Sequence, residues 1–244
     1  ARLADGSAAV PAEGMAAIPE QLARRAREAG AAIETGATVE SIETAGAGEA
    51  ATSGDVTATV DGETITAAGA VVATDPETAG NLTGRETPTA YRGCATVYVS
   101  LPSGTPLDTG KRLLLNVEDD RPNHVAPMAT VAPEYAPAGQ QLLAATFLGV
   151  PEADDETLFE ETKDTLSRWY PERSFADLEH RRTERVPFAQ IDQPPGFQSA
   201  LPDPADPDDP VVLAGDYTRW SSIQSALESG RIAADRVTDI LGLS

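Results

Sequence analysis

Residues 210–237 read PVVLAGDYTRWSSIQSALESGRIAADRV. A short apolar run, Pro210 to Ala214, has the length and character of a buried strand. Gly215-Asp216 ends it, a small polar loop follows, and an amphipathic helix begins near Ser222. A strand that turns through Gly-Asp into a helix N-terminus makes a site for an anionic or polar cofactor. The free backbone N–H groups and the positive end of the helix dipole face whatever sits there. Arg219-Trp220, beside Ser221-Ser222, is well placed to touch such a ligand. The same residues also read as a helix cap, with Ser221 or Ser222 as N-cap and Trp220 as a staple, and the two readings are compatible.

Working outward, residues 14–30 (GMAAIPEQLARRAREAG) predict a helix with Pro19 in its first turn, an apolar stripe of Leu22, Ala26 and Ala29, and Gly30 as its end. Ala37 to Glu43 alternates as a strand does. Thr57–Val60 and Glu63–Thr66 flank Asp61-Gly62, a hairpin signal. Ala70 to Ala73 is a short apolar strand broken at Asp75-Pro76. Between residues 90 and 150 the candidate strands are Cys94–Leu101, Arg112–Val117, His124–Ala132 and Gln141–Leu148, an antiparallel sheet with one face covered. Asp154 to Trp169 predicts a helix with an acidic first turn, Leu178 to Pro187 a charged strand, and residues 189–209 a Pro- and Asp-rich connection. The order describes a mixed domain interrupted by an antiparallel one.

The chain has 244 residues, 41% of them hydrophobic, which suits one large domain or two interlocked ones. Asp plus Glu is 39 and Lys plus Arg is 18, giving a formal net charge of -21. Lys111 and Lys163 are the only lysines. Such a surface repels nucleic acid and anionic membranes, and the acidic excess with few lysines predicts a high-salt setting, where screening suppresses self-repulsion. One cysteine, Cys94, excludes an internal disulfide and favours a reducing, cytoplasmic compartment. A buried structural thiol is its expected role. The apolar runs fall far short of the ~20 residues of a membrane span, and no signal peptide opens the chain. The start at Ala1, inside a polar segment, suggests an excised piece.

Other motifs carry little. Residues 104–111 (GTPLDTGK) resemble a phosphate loop superficially, but the spacing has one residue too many and Arg112 stands where Ser or Thr is required. Asn81-Leu82-Thr83 is a sequon by pattern only. His124 and His180 sit in no Cys/His cluster, so no metal site is expected. His124 could line a substrate cavity, although a packed or exposed histidine is the commoner fate. No nucleophile elbow locates a triad, and no catalytic side chain is picked out.

LAGDYTRWSSIQSALESGRIAADRV resembles the C-terminal flavin motif of the FAD-dependent amine oxidase/phytoene desaturase superfamily. In that motif a strand ending in Gly-Asp or Gly-Glu leads through a short loop to a helix of the type S-I-x-x-A-x-x-S-G-x-x-A-A. Ser222, Ile223, Ala226, Ser229, Gly230, Ala233 and Ala234 supply it here. The stretch from Gly14 to Glu43 is similar to the family's Gly-Met, Ile-Pro helix and the strand after it. VVATDPETAGNLTG and VAPEYAPAGQQLLAATFLG resemble the strand that leaves the flavin domain and a substrate-domain hairpin.

The resemblance implies FAD as cofactor. It places Gly215 and Asp216 against the flavin's ribityl or pyrophosphate region, and the N–H groups of Ser222 and Ile223 at the N1–C2=O edge of the flavin. It places Val39 near the adenine; Trp220 is expected at the cofactor from its place in the loop before the helix. It implies oxidation of a C–H or C–N bond of a mostly apolar or amine substrate by hydride transfer to the flavin. The family's opening G-x-G-x-x-G is not matched; Gly46-Ala47-Gly48 lacks the strand and the third Gly. The expected architecture is thus mixed α/β and α+β. A partial Rossmann-like FAD-binding domain lacking its N-terminal βαβ (1–84 and 206–244) carries an inserted antiparallel substrate domain (85–205). The partner is the missing N-terminal half. The chain alone is expected to be inactive and to hold FAD weakly, with exposed apolar edges. A flavin-free binding or interaction module that keeps the remnant fold is the alternative.

Overall fold

The computed structural model describes residues 9–44, 56–104, 107–118, 121–204 and 209–243. Gly46-Ala47-Gly48, part of the 104–111 segment and part of the 189–209 connection lie outside them. The fold is mixed α/β with several sheets. The chain divides into two units, residues 1–33 with 92–189 and residues 34–91 with 190–244.

The first unit holds α1 (Ala17–Glu28) and a five-stranded sheet. Its strands are β5 (Tyr91–Pro102), β6 (Leu114–Leu115), β7 (His124–Ala126), β8 (Gln140–Leu148) and β9 (Glu179–Ile191), in the order β6-β7-β8-β5-β9. The β6–β7, β7–β8 and β8–β5 pairs are antiparallel, with Val97 opposite Ala145 and Tyr98 opposite Ala144. Side chains alternate across the sheet. Ala95, Val97, Val99 and Leu101 of β5, with Leu143, Ala145 and Phe147 of β8, pack with Leu158, Phe159 and Leu166 of helix α4 (Asp155–Trp169). Asp154 caps α4, its Oδ1 accepting from Thr157 N–H at 2.8 Å. Cys94 lies inside β5, half-buried.

Two expected strands are shorter than their sequences suggest. Only Leu114–Leu115 of 112–117 pairs. The run from His124 stops at Ala126, because Pro127 precedes a single helical turn, α3 (Met128–Val131), and Pro133 opens a 3-10 turn. The stripe of α1 is present but largely uncovered, with Leu22 53% exposed.

The second unit contains an antiparallel meander, β1 (Val39–Thr44), β2 (Val56–Val60) and β3 (Glu63–Ala67). Asp61 (φ 49°) and Gly62 (φ 81°) both adopt the left-handed backbone of the two-residue turn expected from Asp-Gly. A separate parallel pair joins β4 (Ala70–Val72) to β10 (Val211–Leu213), Val212 opposite Val71. Asp75-Pro76 does more than break β4: it opens a helix, α2 (Pro76–Thr83). Pro76 loses no bonded N–H at the first helical position, and Asp75 Oδ1 accepts from Thr78 N–H at 3.0 Å. The Thr78 hydroxyl and N–H together hold the Asp75 carboxyl below its usual range.

β10 is buried on both faces. Val211 and Leu213 join Val56, Val72, Ala79, Ile191 and Tyr217 on one side. Val212 and Ala214 meet Ala233 of helix α5 (Ile223–Ile240) on the other. Burial on both faces explains the unbroken apolar run of 211–214.

Candidate functional site

The end of β10 and the start of α5 form one tightly bonded turn. Gly215 N–H donates to Ser229 Oγ at 2.9 Å, and Ser229 Oγ–H donates to the Ala226 carbonyl at 2.7 Å. The strand end is thereby tied to the helix two turns further on. Asp216–Thr218 is a 3-10 turn, closed by Thr218, whose N–H and hydroxyl both donate to the Gly215 carbonyl at 3.1 and 2.8 Å. A Cβ at Gly215 would stand 2.2 Å from Cε1 and 2.6 Å from Cδ1 of Tyr217. Glycine is required here by a neighbour within the chain, whose ring closes over the turn.

Asp216 is half-buried, and its Oδ2 accepts from Ser221 Oγ–H at 2.7 Å. An ionised carboxylate has several lone pairs, so it keeps capacity for hydroxyl donors from a ligand. Ser222 is the N-cap of α5, its Oγ accepting from Ser225 N–H at 3.0 Å. Helix geometry leaves the first-turn N–H groups without intrahelical acceptors, and the cap satisfies the one at Ser225. Those at Ile223 and Gln224 lie at the positive end of an 18-residue helix. Trp220 and Ile223 are 44% and 52% exposed. Arg219 turns away to pair with Glu228 at 3.1 Å. Gly215, Asp216, Trp220, Ser222 and Ile223 therefore share one turn, whereas Val39 sits at the exposed start of β1, in another sheet.

Three residues of this region escape a reading of sequence. Tyr217 is 1% exposed, and its hydroxyl has no partner among the described residues. Burial first, then the nearby Asp75 and Asp216 charges, push its pKa up to about 12. Burial likewise raises Tyr91, with Asp75 adding to it. Arg85 Nη2 donates to Asp209 Oδ2 at 2.7 Å and to the Val211 carbonyl at 2.9 Å, and its Nη1 to the Pro204 carbonyl at 3.2 Å. That fork fixes the start of β10. An Asp-Pro pair signals the Asp75 cap locally; no local signal marks Tyr217 or Arg85. Of the small residues that supply the helix motif, Ser229 and Ala233 are buried, whereas Gly230, with nothing near it, Ala226 and Ala234 are exposed.

No group of three or more metal-ligating side chains occurs among the described residues. None of the described helices is long and apolar enough to cross a membrane.

A family model described as flavin containing amine oxidoreductase matches residues 2–238. No curated protein matches the chain. Among solved structures, an oxidoreductase from Methanosarcina mazei is 16% identical with a TM-score of 0.59, covering 90% of this chain and 54% of that one. NikD, described as an unusual amino acid oxidase essential for nikkomycin biosynthesis, is 18% identical with a TM-score of 0.56, covering 93% and 57%. Reduced UDP-galactopyranose mutase is 14% identical with a TM-score of 0.55, covering 77% and 45%. At these identities the likeness is one of fold. The chain spans about half the length of the solved structures it matches.

Proposed function

The chain belongs to the flavin-containing amine oxidoreductase family, and from that premise we propose that it is the C-terminal part of an FAD-dependent oxidoreductase. The observation that carries the reading is the β10–α5 turn, which gathers a half-buried carboxylate and the open N-terminus of a long helix at one place. These groups fit a flavin in kind. Asp216 would accept hydrogen bonds from ribityl hydroxyls, held in place by Ser221. The N–H groups at the start of α5, including that of Ile223, would face the N1–C2=O edge, where the helix dipole favours added negative charge. Trp220 would shield the ring from water, and Val39 would stand near the adenine. When bound, the flavin supplies hydride acceptance, from a C–H bond of a mostly apolar substrate or from the C–H bond next to nitrogen in an amine, whose C–N bond is thereby oxidised.

The pyrophosphate grip would come from a partner N-terminal half of the flavin domain. Exposed Val71 on β4, with Trp220, Ile223 and Leu227 on the α5 side, supports such a covering partner. In this reading 1–84 and 206–244 belong to the flavin domain and 85–205 to the substrate domain. A cytoplasmic, high-salt setting is part of the proposal, supported by the net charge of -21 and the single cysteine.

Equilibrium dialysis against FAD, followed by absorbance near the flavin bands, tests it. The chain alone should retain little flavin, and the polypeptide that includes the N-terminal half should retain it stoichiometrically. In that polypeptide Asp216→Ala should weaken retention. Stoichiometric, tightly held FAD on the chain alone, or no effect of Asp216→Ala, overturns the proposal.

A further inference from the structure

The five-stranded sheet ends at β6, which has β7 on its inner side and no strand on its outer side among the described residues. The antiparallel register sets Leu114 opposite Val125 and Leu115 opposite His124, and Asn116 N–H donates to the Asn123 carbonyl at 2.9 Å. Asn116–Asn123 is therefore a hydrogen-bonded pair, and so, two residues back, is Leu114–Val125. The backbone groups of Leu114 and Asn116 serve β7. Those of Leu113, Leu115 and Val117 point the other way, off the edge of the sheet. The side chains of these three residues are 49%, 64% and 92% exposed.

A bare apolar edge is a template for another strand, and soluble proteins blunt it with charge, Pro or a bulge. Charge is present here, in an order that invites one particular strand. Residues 111–118 read KRLLLNVE, basic at one end and acidic at the other. Lys111, Arg112 and Glu118 are exposed, and none has a side-chain partner among the described residues. A guard of one sign would repel a second copy of the chain. Opposed signs at the two ends attract it, provided that it runs antiparallel.

We propose that β6 pairs with β6 of a second copy of this chain, antiparallel across a two-fold axis through Leu115, which joins two five-stranded sheets into one. In that register Leu115 faces Leu115 and Leu113 faces Val117. Both are hydrogen-bonded pairs, as the outward backbone groups require. Arg112 falls opposite Glu118 of the second copy at a non-hydrogen-bonded position, where facing side chains stand closest. A slip of one residue would set outward groups against groups already bonded to β7. Pairing would extend over residues 113–117, most of the stretch that the sequence predicts as a strand. A contact that uses the same patch on both copies closes as a dimer. The proposal is independent of the flavin reading.

The test is sedimentation equilibrium of the 244-residue chain in about 0.5 M KCl. There the Debye length is about 4–5 Å, so general repulsion between the acidic chains is screened while touching charges still act. The mass should rise from one chain towards two with concentration. Arg112→Glu and Glu118→Arg should each raise the dissociation constant at least about tenfold, because each sets two like-charged pairs in the dimer. An equimolar mixture of the two variants should dimerise like the unchanged chain, since every facing pair in the mixed dimer is opposed again. Leu115→Pro removes an N–H that β7 does not use, so it should abolish the dimer and leave the circular dichroism of the fold intact. Exchange of the Leu115 amide should slow as the dimer forms. A chain that stays monomeric up to about 1 mM, a dimer that survives either charge reversal, or no rescue on mixing overturns the proposal. So does a polypeptide with the N-terminal half that protects the Leu115 amide while remaining monomeric, since that half would then cover the edge. None of these outcomes touches FAD retention, on which the flavin reading is tested.

Discussion

The ring of Tyr217 occupies the volume that a side chain on Gly215 would need, with Cε1 2.2 Å from the position of a Cβ. Tyr217 is 1% exposed and packed against β10, so the ring cannot step aside. Gly215→Ala should destabilise the chain by about 1–3 kcal/mol through overpacking. Combined with Tyr217→Leu it should cost less than the sum of the two single changes. Urea melts of the four proteins check this, and strict additivity would rule the contact out.

The Tyr217 hydroxyl is a buried donor without a partner among the described residues. Tyr217→Phe should leave stability unchanged or raise it by about 1 kcal/mol, since an unsatisfied buried group carries a desolvation penalty. The folded pKa of about 12 lies above the ordinary value of 10.0. The folded state therefore keeps a proton that the unfolded chain gives up, and this contribution is full below pH 10 and lost as pH rises towards 12. Denaturation measured across that window should show a shallower alkaline decline in Tyr217→Phe. An identical decline would assign the slope to other groups.

Ser229 connects the strand end to the helix by accepting the Gly215 N–H. Ser229→Ala leaves that N–H without its acceptor and should cost about 1–3 kcal/mol. Amide exchange at Gly215 should accelerate more than exchange in the β5–β8 pair. Unchanged protection at Gly215 would show that the bond is not holding the turn.

The net charge of -21 implies repulsion that salt relieves. The melting temperature should climb between about 0.1 and 1 M KCl, over which the Debye length falls from ~10 to ~3 Å, and level off beyond it. A flat profile would remove the basis for a high-salt setting.

Local chemistry was legible in the sequence. The Asp61-Gly62 hairpin, the acidic first turn of α4 and the Gly215–Ser222 punctuation act within a few residues, and the structure has all three features. The buried stripe of α5 was harder, because it is Ser225, Ser229 and Ala233, two hydroxyls and a methyl, while the apolar Ile223 and Leu227 face outward. Over the first half of the helix a search for an apolar face selects the wrong side, whereas further on Val237 and Ile240 pack with Ala233. The Gly215–Tyr217 contact depends on where a ring folds back, and the Arg85 fork reaches residues more than a hundred positions away. Neither leaves a pattern in its own neighbourhood.

The parallel pairing of β4 with β10 also governs the order in which the chain can assemble. Val72 must wait for Leu213, its partner far along the chain, and closing so long a loop directly is entropically slow. The sheet of the first unit shortens the search. Its strands β5 and β9 are neighbours, and Asp192 N–H reaches the Ala90 carbonyl at 2.9 Å where they begin and end. Once that sheet has formed, residues 72 and 213 are separated by two short tethers instead of the whole intervening chain. Pulse-labelled amide exchange during refolding should therefore protect β5 and β8 before β4 and β10.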